Sequence, residues 1–301
     1  MKRVGFIGVG TMGTPMVSNL LKAGFSVLAY DVRPEALDEA GRRGAGVAGS
    51  AAEAAKDSDI VVTMLPSSSD VDLAYLGRGG VLAGAPPGRL CVDMSTIDPG
   101  TSRRVAEKAN AQGVRFLDAP VSGGVTRAVE GTLTIMVGGD KRDLEEARSA
   151  LSSLGSTIIH VGPVGSGEVA KLCNNLIAGV ATVAVSEAFR LAERFGVDPK
   201  VLTEVIQNSS GQTWVMAHNH PVPGMVAKAA SSHDYAPGFM TDLMAKDMGL
   251  VVMAGREQRV PLFAASTALQ LYRLASAQGL GRKDFSSVYT LLAPASGHAP
   301  V

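Results

Sequence analysis

The chain of 301 residues has only two cysteines, Cys91 and Cys173. Two thiols cannot frame a disulfide scaffold in a protein of this size, and their scarcity points to a reducing, cytoplasmic compartment. Net charge is missing too. Lys plus Arg and Asp plus Glu number 28 each, so no overall field draws the chain to nucleic acid or to an anionic membrane. No local basic cluster replaces that field, and neither partner is expected. Uninterrupted apolar runs of bilayer length are also lacking. The run from Leu172 to Ser186 falls short of the ~20 residues needed and contains Asn174 and Asn175. Met1-Lys2-Arg3 followed by uncharged residues through Leu21 imitates a signal peptide. Gly5, Gly8, Gly10, Gly13 and Pro15 would break an apolar helix there, and a strand pattern has begun by Val4. A soluble protein is expected. A metal centre is absent from the pattern as well: His218, His220 and His233 share one stretch, but no carboxylate or cysteine joins them at ligand spacing. They are expected in a solvated loop, with His160 in a strand and His298 in a disordered tail.

Apolar residues make up 46% and charged residues 19%, a globular composition, and the length suggests two domains with separate cores. In the first half, strand-like runs alternate with helical ones. Arg3–Ile7, Phe25–Tyr30, Asp59–Leu65, Leu90–Asp93 and Val114–Leu117 read as strands, and Leu133–Val137 and Thr157–Val161 add two more. Helices are predicted over Thr14–Lys22, Pro34–Arg43, Thr101–Ala111 and Leu144–Leu154. That alternation predicts a doubly wound parallel sheet of Rossmann type. From Glu168 to Phe195 there is no strong breaker, only Gly179, so one helix of about 28 residues and about 42 Å is predicted. Pro199–Gln207, Phe239–Ala254 and Pro261–Ala277 look helical, and Ser209–Pro237 reads as an irregular connection. The expected organisation is an α/β domain over 1–164, a long connecting helix over 165–195, and an all-α C-terminal domain for substrate and oligomerisation over 196–301.

Gly8-Val9-Gly10-Thr11-Met12-Gly13 is a G-x-G-x-x-G set directly after the first strand and opening the first helix. Gly8 would permit the tight turn, Gly10 the approach of a pyrophosphate, and Gly13 close helix–strand packing. The helix N-terminus offers free N–H groups and a positive dipole end to phosphates. Asp31 ends the second strand about 20 residues on, where a ribose-binding carboxylate belongs. Such a carboxylate accepts from an adenosine 2′-hydroxyl and repels a 2′-phosphate, so NAD is the expected cofactor. Arg33 could soften that preference by pairing with a phosphate. Asp31 could also simply cap the helix starting at Pro34.

With these features, further segments resemble the β-hydroxyacid dehydrogenase family over essentially the whole chain. The cofactor fingerprint ends in Met12-Gly13-x-Pro15-Met16. Asp118-Ala119-Pro120-Val121-Ser122-Gly123-Gly124 is similar to the family's substrate motif, Gly165-x-Gly167-x-x-x-Lys171-x-x-x-Asn175 to its catalytic motif, and Lys246-Asp247 to its C-terminal pair. Within the family, Met64 to Ser68, Ser95 to Pro99, Asn208 to Gly211 with Trp214, and Lys283 to Ser287 most resemble the 3-hydroxyisobutyrate dehydrogenase branch. The resemblance implies NAD-dependent oxidation of a small 3-hydroxy carboxylate to its semialdehyde.

In that setting Ser122-Gly123-Gly124 offers a hydroxyl and unhindered backbone N–H groups to a carboxylate, although a Gly-rich turn can serve shape alone. Lys171 and Asn175 stand at i and i+4 on one helix face. Lys171 in apolar surroundings would have a depressed pKa and take the hydroxyl proton during oxidation, with Asn175 hydrogen-bonding the same oxygen or orienting the amine. A helical lysine is otherwise an ordinary surface residue. By resemblance, Leu65, Pro66 and Thr96 contact the nicotinamide half, and Lys246 reaches over the cofactor or the substrate carboxylate. Asp247 and Phe239 join the cofactor set, and Trp214 and Phe239 wall the pocket unless they are ordinary core. Sibling activities on tartronate, succinic or sulfolactaldehyde-type semialdehydes are alternatives, as is a non-catalytic dinucleotide-binding module, whose mark would be loss of the lysine. The long apolar helix predicts a homodimer or homotetramer.

Overall fold

The computed structural model describes residues 2–293. His298 lies outside them. The chain divides into two units, one ending at Lys171 and the other beginning at Leu172.

In the first unit, apolar runs form β1 (Arg3–Ile7), β2 (Ser26–Tyr30), β3 (Gly46–Val47), β4 (Ile60–Thr63), β5 (Leu90–Asp93), β6 (Arg115–Asp118), β7 (Val121–Ser122), β8 (Leu133–Gly138) and β9 (Gly155–Gly162). They make one sheet in the order β3-β2-β1-β4-β5-β6-β8-β7, with β9 paired to β8. From β3 to β6 every pairing is parallel, whereas β8 runs antiparallel to β6 and to β7. The predicted parallel sheet therefore carries an antiparallel extension. Helices α1 (Gly13–Lys22), α2 (Pro34–Arg42), α3 (Ala51–Lys56), α4 (Ser68–Leu76), α5 (Val81–Gly84), α6 (Pro99–Asn110), α7 (Gly124–Glu130) and α8 (Lys141–Ser152) complete the unit.

Successive strand residues point to opposite faces, and the sheet buries both. Phe6, Ile60, Val62, Leu90, Val92 and Leu117 enter one core with Met16 and Leu20 of α1. Ile7, Val61, Cys91 and Phe116 enter a second core with Val105 of α6. Each such side chain contributes about 1.5–3 kcal/mol when fully buried. Chain order reverses between β1 and β4, which opens a crevice at their carboxyl ends, the usual ligand position in doubly wound sheets.

α9 (Ser166–Arg194) is the predicted long helix, 29 residues in length. By length and composition alone it could cross a membrane. Its buried Glu168, Lys171, Asn175, Thr182 and Ser186 are instead the polar groups of a core helix. The second unit adds α10 (Pro199–Gln207), α11 (Trp214–His218), α12 (Thr241–Glu257), α13 (Phe263–Ala275) and α14 (Val288–Leu291). Leu172 and Val183 pack with Met244, Met248, Leu269 and Tyr272 in its main core. A smaller core gathers Val185, Phe189, Val215 and Tyr289. The stretch predicted to be irregular holds α11, capped by Thr213 Oγ1 accepting from Met216 N–H.

Candidate active site

The glycine turn follows β1. Gly8 has φ +94°, and a Cβ there would stand 2.3 Å from Met64 O. Gly13 packs still closer, since a Cβ would lie 2.0 Å from Gly8 O. Any side chain at either position would force β1, α1 and β4 apart. The Val9 N–H donates to Asp31 Oδ2 at 2.9 Å, tying the turn to the end of β2. Arg33 grips the same carboxylate with Nε to Oδ1 at 3.0 Å and Nη2 to Oδ2 at 3.1 Å. Burial alone would raise the Asp31 pKa; the Arg33 hydrogen bonds and charge and the Val9 amide outweigh it and hold the carboxyl below its ordinary value. A cavity of about 420 Å³ opens beside the turn, lined by Gly10, Thr11, Arg33, Arg43, Val125 and Val129 among others. Narrow backbone at the turn, N–H groups at the start of α1 and a carboxylate at the end of β2 fit a dinucleotide.

Leu65 and Pro66 follow β4, and Thr96 follows β5, at the carboxyl ends as expected. A buried network fixes these loops. Asp93 Oδ1 accepts from Thr63 Oγ1 and from Ser95 Oγ, each at 2.6 Å, and Ser95 Oγ accepts the Leu65 N–H at 2.9 Å. Burial pushes the Asp93 carboxyl up to about 6, against the hydrogen bonds from Ser95 and Thr63 and with the help of the nearby Asp118 charge.

In the substrate motif, Ser122 ends β7, and Gly123 (φ +139°) and Gly124 (φ +63°) turn the chain into α7. Among the described residues the Ser122 hydroxyl makes no hydrogen bond. Asp118, at the start of the motif, accepts the Gly165 N–H at 2.7 Å and the Glu168 N–H at 3.0 Å. Its burial raises the carboxyl pKa, opposed by those amides. Glu168 Oε2 accepts the Ile97 N–H at 3.2 Å. Lys171, one turn further along α9, is 7% exposed, so it is not the surface lysine that its helical position alone would suggest.

In the second unit Asn175 Nδ2 donates to Asp247 Oδ2 at 2.6 Å, and Lys246 Nζ lies 3.1 Å from Asp247 Oδ1. Asp247 is 1% exposed. Its carboxylate contacts Asn175 and Lys246, both of which were expected at the site. Phe239 packs its ring edge on Phe285 at 5.9 Å, joining the core. Trp214 is 59% exposed and stacks on His218 at 5.4 Å, so ordinary core does not account for it. His220 corrects the expectation of a solvated loop. It is fully buried, edge-on to Phe189 at 4.6 Å, with Nδ1 accepting the Val222 N–H at 3.1 Å. Burial pushes its pKa down to about 4. No cluster of metal-ligating side chains occurs among the described residues.

Sequence reading missed the anchoring role of Asp118 and the Thr63–Asp93–Ser95 network, whose only signal was polar residues closing apolar strands. It also missed Val125 and Val129 of α7, which is short and has no periodic pattern long enough to read, and Arg43, which closes α2 as an ordinary helix-end arginine in the sequence.

The fold and the turn together define an NAD-binding oxidoreductase. Family models agree: residues 3–162 match the NAD binding domain of 6-phosphogluconate dehydrogenase, and 165–292 match the "NAD-binding of NADP-dependent 3-hydroxyisobutyrate dehydrogenase". The chain is 43% identical to a probable mitochondrial 3-hydroxyisobutyrate dehydrogenase of Dictyostelium discoideum, over 97% of this chain and 91% of that one. It is 43% identical to an NAD-dependent L-serine dehydrogenase of Pseudomonas aeruginosa, over 99% of this chain and 100% of that one. A structure of Mycobacterium tuberculosis 3-hydroxyisobutyrate dehydrogenase with L-serine superposes with a TM-score of 0.94 at 40% identity, covering 97% of this chain and 99% of that one. The chain belongs to the 3-hydroxyisobutyrate dehydrogenase family and is an NAD-dependent dehydrogenase of that type.

Proposed function

We propose that the protein oxidises 3-hydroxyisobutyrate, or a close small 3-hydroxy carboxylate, to its semialdehyde, with Lys171 as acid/base. The observation that carries this reading is a buried lysine one turn into a helix whose start is pinned to the substrate motif. Bound NAD supplies the hydride acceptor. Lys171, as a neutral amine, takes the hydroxyl proton, and its ammonium returns that proton in the reverse direction. Asn175, held by Asp247, hydrogen-bonds the reacting oxygen. Ser122 Oγ and the Gly123 and Gly124 N–H groups hold the substrate carboxylate. Gly8, Gly10, Thr11, Met12 and Gly13 hold the pyrophosphate, Asp31 and Arg33 the adenosine ribose, and Leu65, Pro66 and Thr96 the nicotinamide half. Trp214, Phe239 and Lys246 enter as ligand residues by family resemblance. Asp31 favours NAD over NADP.

L-Serine is the second reading, favoured by the Pseudomonas relative and by the ligand named with the mycobacterial structure. Serine shares the carboxylate and the primary hydroxyl and differs in carrying an ammonium instead of a methyl at C2. A methyl in an apolar pocket is worth about 1–3 kcal/mol, so 3-hydroxypropionate should lag 3-hydroxyisobutyrate by roughly 10- to 200-fold. The test is kcat/KM for 3-hydroxyisobutyrate, 3-hydroxypropionate, L-serine, glycerate and 2,3-dihydroxypropanesulfonate, each with NAD and NADP. L-Serine, glycerate or the sulfonate at the head of that order would replace the substrate proposed. Lys171→Ala should lower kcat at least ~100-fold while NADH still binds, and near-normal turnover would remove the lysine from its role.

We also propose a homodimer or homotetramer in the cytoplasm. Ile177, Leu191 and Phe195 are exposed along one side of α9 or just past its end, an apolar surface that a second copy would cover. A monomer by sedimentation at micromolar concentration would exclude it.

A further inference from the structure

We infer that Asp118 is the positioning residue for Lys171. The inference rests on the acid/base reading of Lys171 and assigns a cause to the lysine's placement. The first N–H groups of any helix lack intrahelical partners. In α9 the Glu168 N–H and the preceding Gly165 N–H both end on the Asp118 carboxylate, at 3.0 and 2.7 Å. Helical bonding begins at once, with Val169 N–H donating to Gly165 O at 3.1 Å.

The surroundings are cleared for this contact. A Cβ on Gly138 would stand 2.4 Å from Asp118 Oδ1, and one on Gly167 would stand 2.8 Å from Oδ2 and 2.4 Å from Met136 O. A Cβ on Gly165 would meet Arg103 Nε at 2.9 Å. Gly138 and Gly167 therefore let the first turn of α9 sit on the end of β6. The Glu168 side chain adds a second tether, to Ile97 N–H beside Thr96. Lys171 follows Glu168 by three residues, on the same side of the helix. From the other end of the same motif, Ser122 lies four residues beyond Asp118. One carboxylate thus links the strand leading to the substrate cradle with the helix that presents the lysine. It also places a negative charge at the positive end of the α9 dipole.

The test uses Asp118→Asn, which keeps the size and one acceptor oxygen but sets an N–H against one of the two amides. The kcat per NADH-binding site should fall at least ~10-fold, with KM and the NADH Kd unchanged within about twofold. In a Lys171→Ala background the same change should add no further loss, because the residue acts through the lysine. A kcat within about twofold of the unmodified protein, or a full multiplicative loss in the Lys171→Ala background, overturns this proposal alone. Near-normal turnover of Lys171→Ala overturns the acid/base reading and this proposal with it. Amide exchange in the unmodified protein decides the matter should Asp118→Asn not fold. The Gly165 and Glu168 amides should exchange as slowly as Val169, and rapid exchange at either overturns the anchor.

Discussion

Asn175 and Asp247, 72 residues apart in sequence, meet at 2.6 Å. The carboxylate is buried and the amide is committed to it, so the orientation of Asn175 is set from α12. Asp247→Ala would leave the Asn175 amide without its acceptor. Stability should fall by about 1–3 kcal/mol, the cost of an unsatisfied buried donor. The kcat per folded molecule should fall about tenfold or more if Asn175 addresses the reacting oxygen. Urea unfolding and turnover, measured on the same preparation, separate the two effects; lost stability with unchanged kcat would make the pair purely structural.

Cofactor choice should respond to Arg33 as well as to Asp31. The guanidinium neutralises the carboxylate that would repel a 2′-phosphate. Arg33→Ala should therefore widen the preference for NAD over NADP by about tenfold, or about 1.4 kcal/mol. Asp31→Ser should narrow or reverse it, leaving Arg33 free to pair with the phosphate. A kcat/KM ratio that does not move in Arg33→Ala would show that the fork opens when cofactor binds.

His220 makes the second unit sensitive to acid. The ring is buried neutral, with its pKa pushed from 6.5 down to about 4. Below pH 6.5 the unfolded chain takes up a proton that the folded ring refuses, so this contribution is complete above 6.5 and is lost as pH falls toward 4. Asp93 titrates in the opposite sense. Its carboxyl is raised from 3.8 to about 6, so its contribution is complete below 3.8 and is lost as pH rises through 6. Comparing Tm across this range in the unmodified protein and in His220→Asn isolates the histidine. The variant should lose less Tm on acidification, and parallel curves would mean that the ring does not titrate.

Trp214 offers a clean separation of fold from function. A half-exposed indole stacked on His218 adds little to stability, so Trp214→Ala should change it by no more than ~0.5 kcal/mol. As a pocket wall it should still matter for the substrate, with KM rising about tenfold and the NADH Kd unchanged. An unaltered KM would take Trp214 out of the site.

The sequence made the first unit legible where apolar runs were long enough to be buried on both faces, as in Ile60–Thr63 and Leu90–Asp93. The glycine turn was legible because Gly8 and Gly13 are demanded by contacts of backbone on backbone. Short helices escaped notice. Ala51–Lys56 has no period to read, and Ser68–Leu76 begins in serines that look like loop until Ser67 is seen capping Asp70 N–H. His220 was misjudged for a different reason. Its neighbours Gly, Pro, Ser and His have loop composition, while its burial comes from Phe189, which is distant in sequence. The same holds for Asp118, whose partners Gly165 and Glu168 lie 47 and 50 residues away. Motif spelling marked these residues without saying what they touch.

The glycines around Asp118 draw a boundary for protein engineering. Gly138 and Gly167 leave no room for a methyl group, because the nearest atoms are backbone and a buried carboxylate rather than a yielding side chain. A library aimed at a new substrate gains nothing by varying these positions, since most members would be lost before they were assayed. Diversity is better placed at Trp214, the exposed side chain proposed above as a pocket wall, where a change of side chain should leave the scaffold intact.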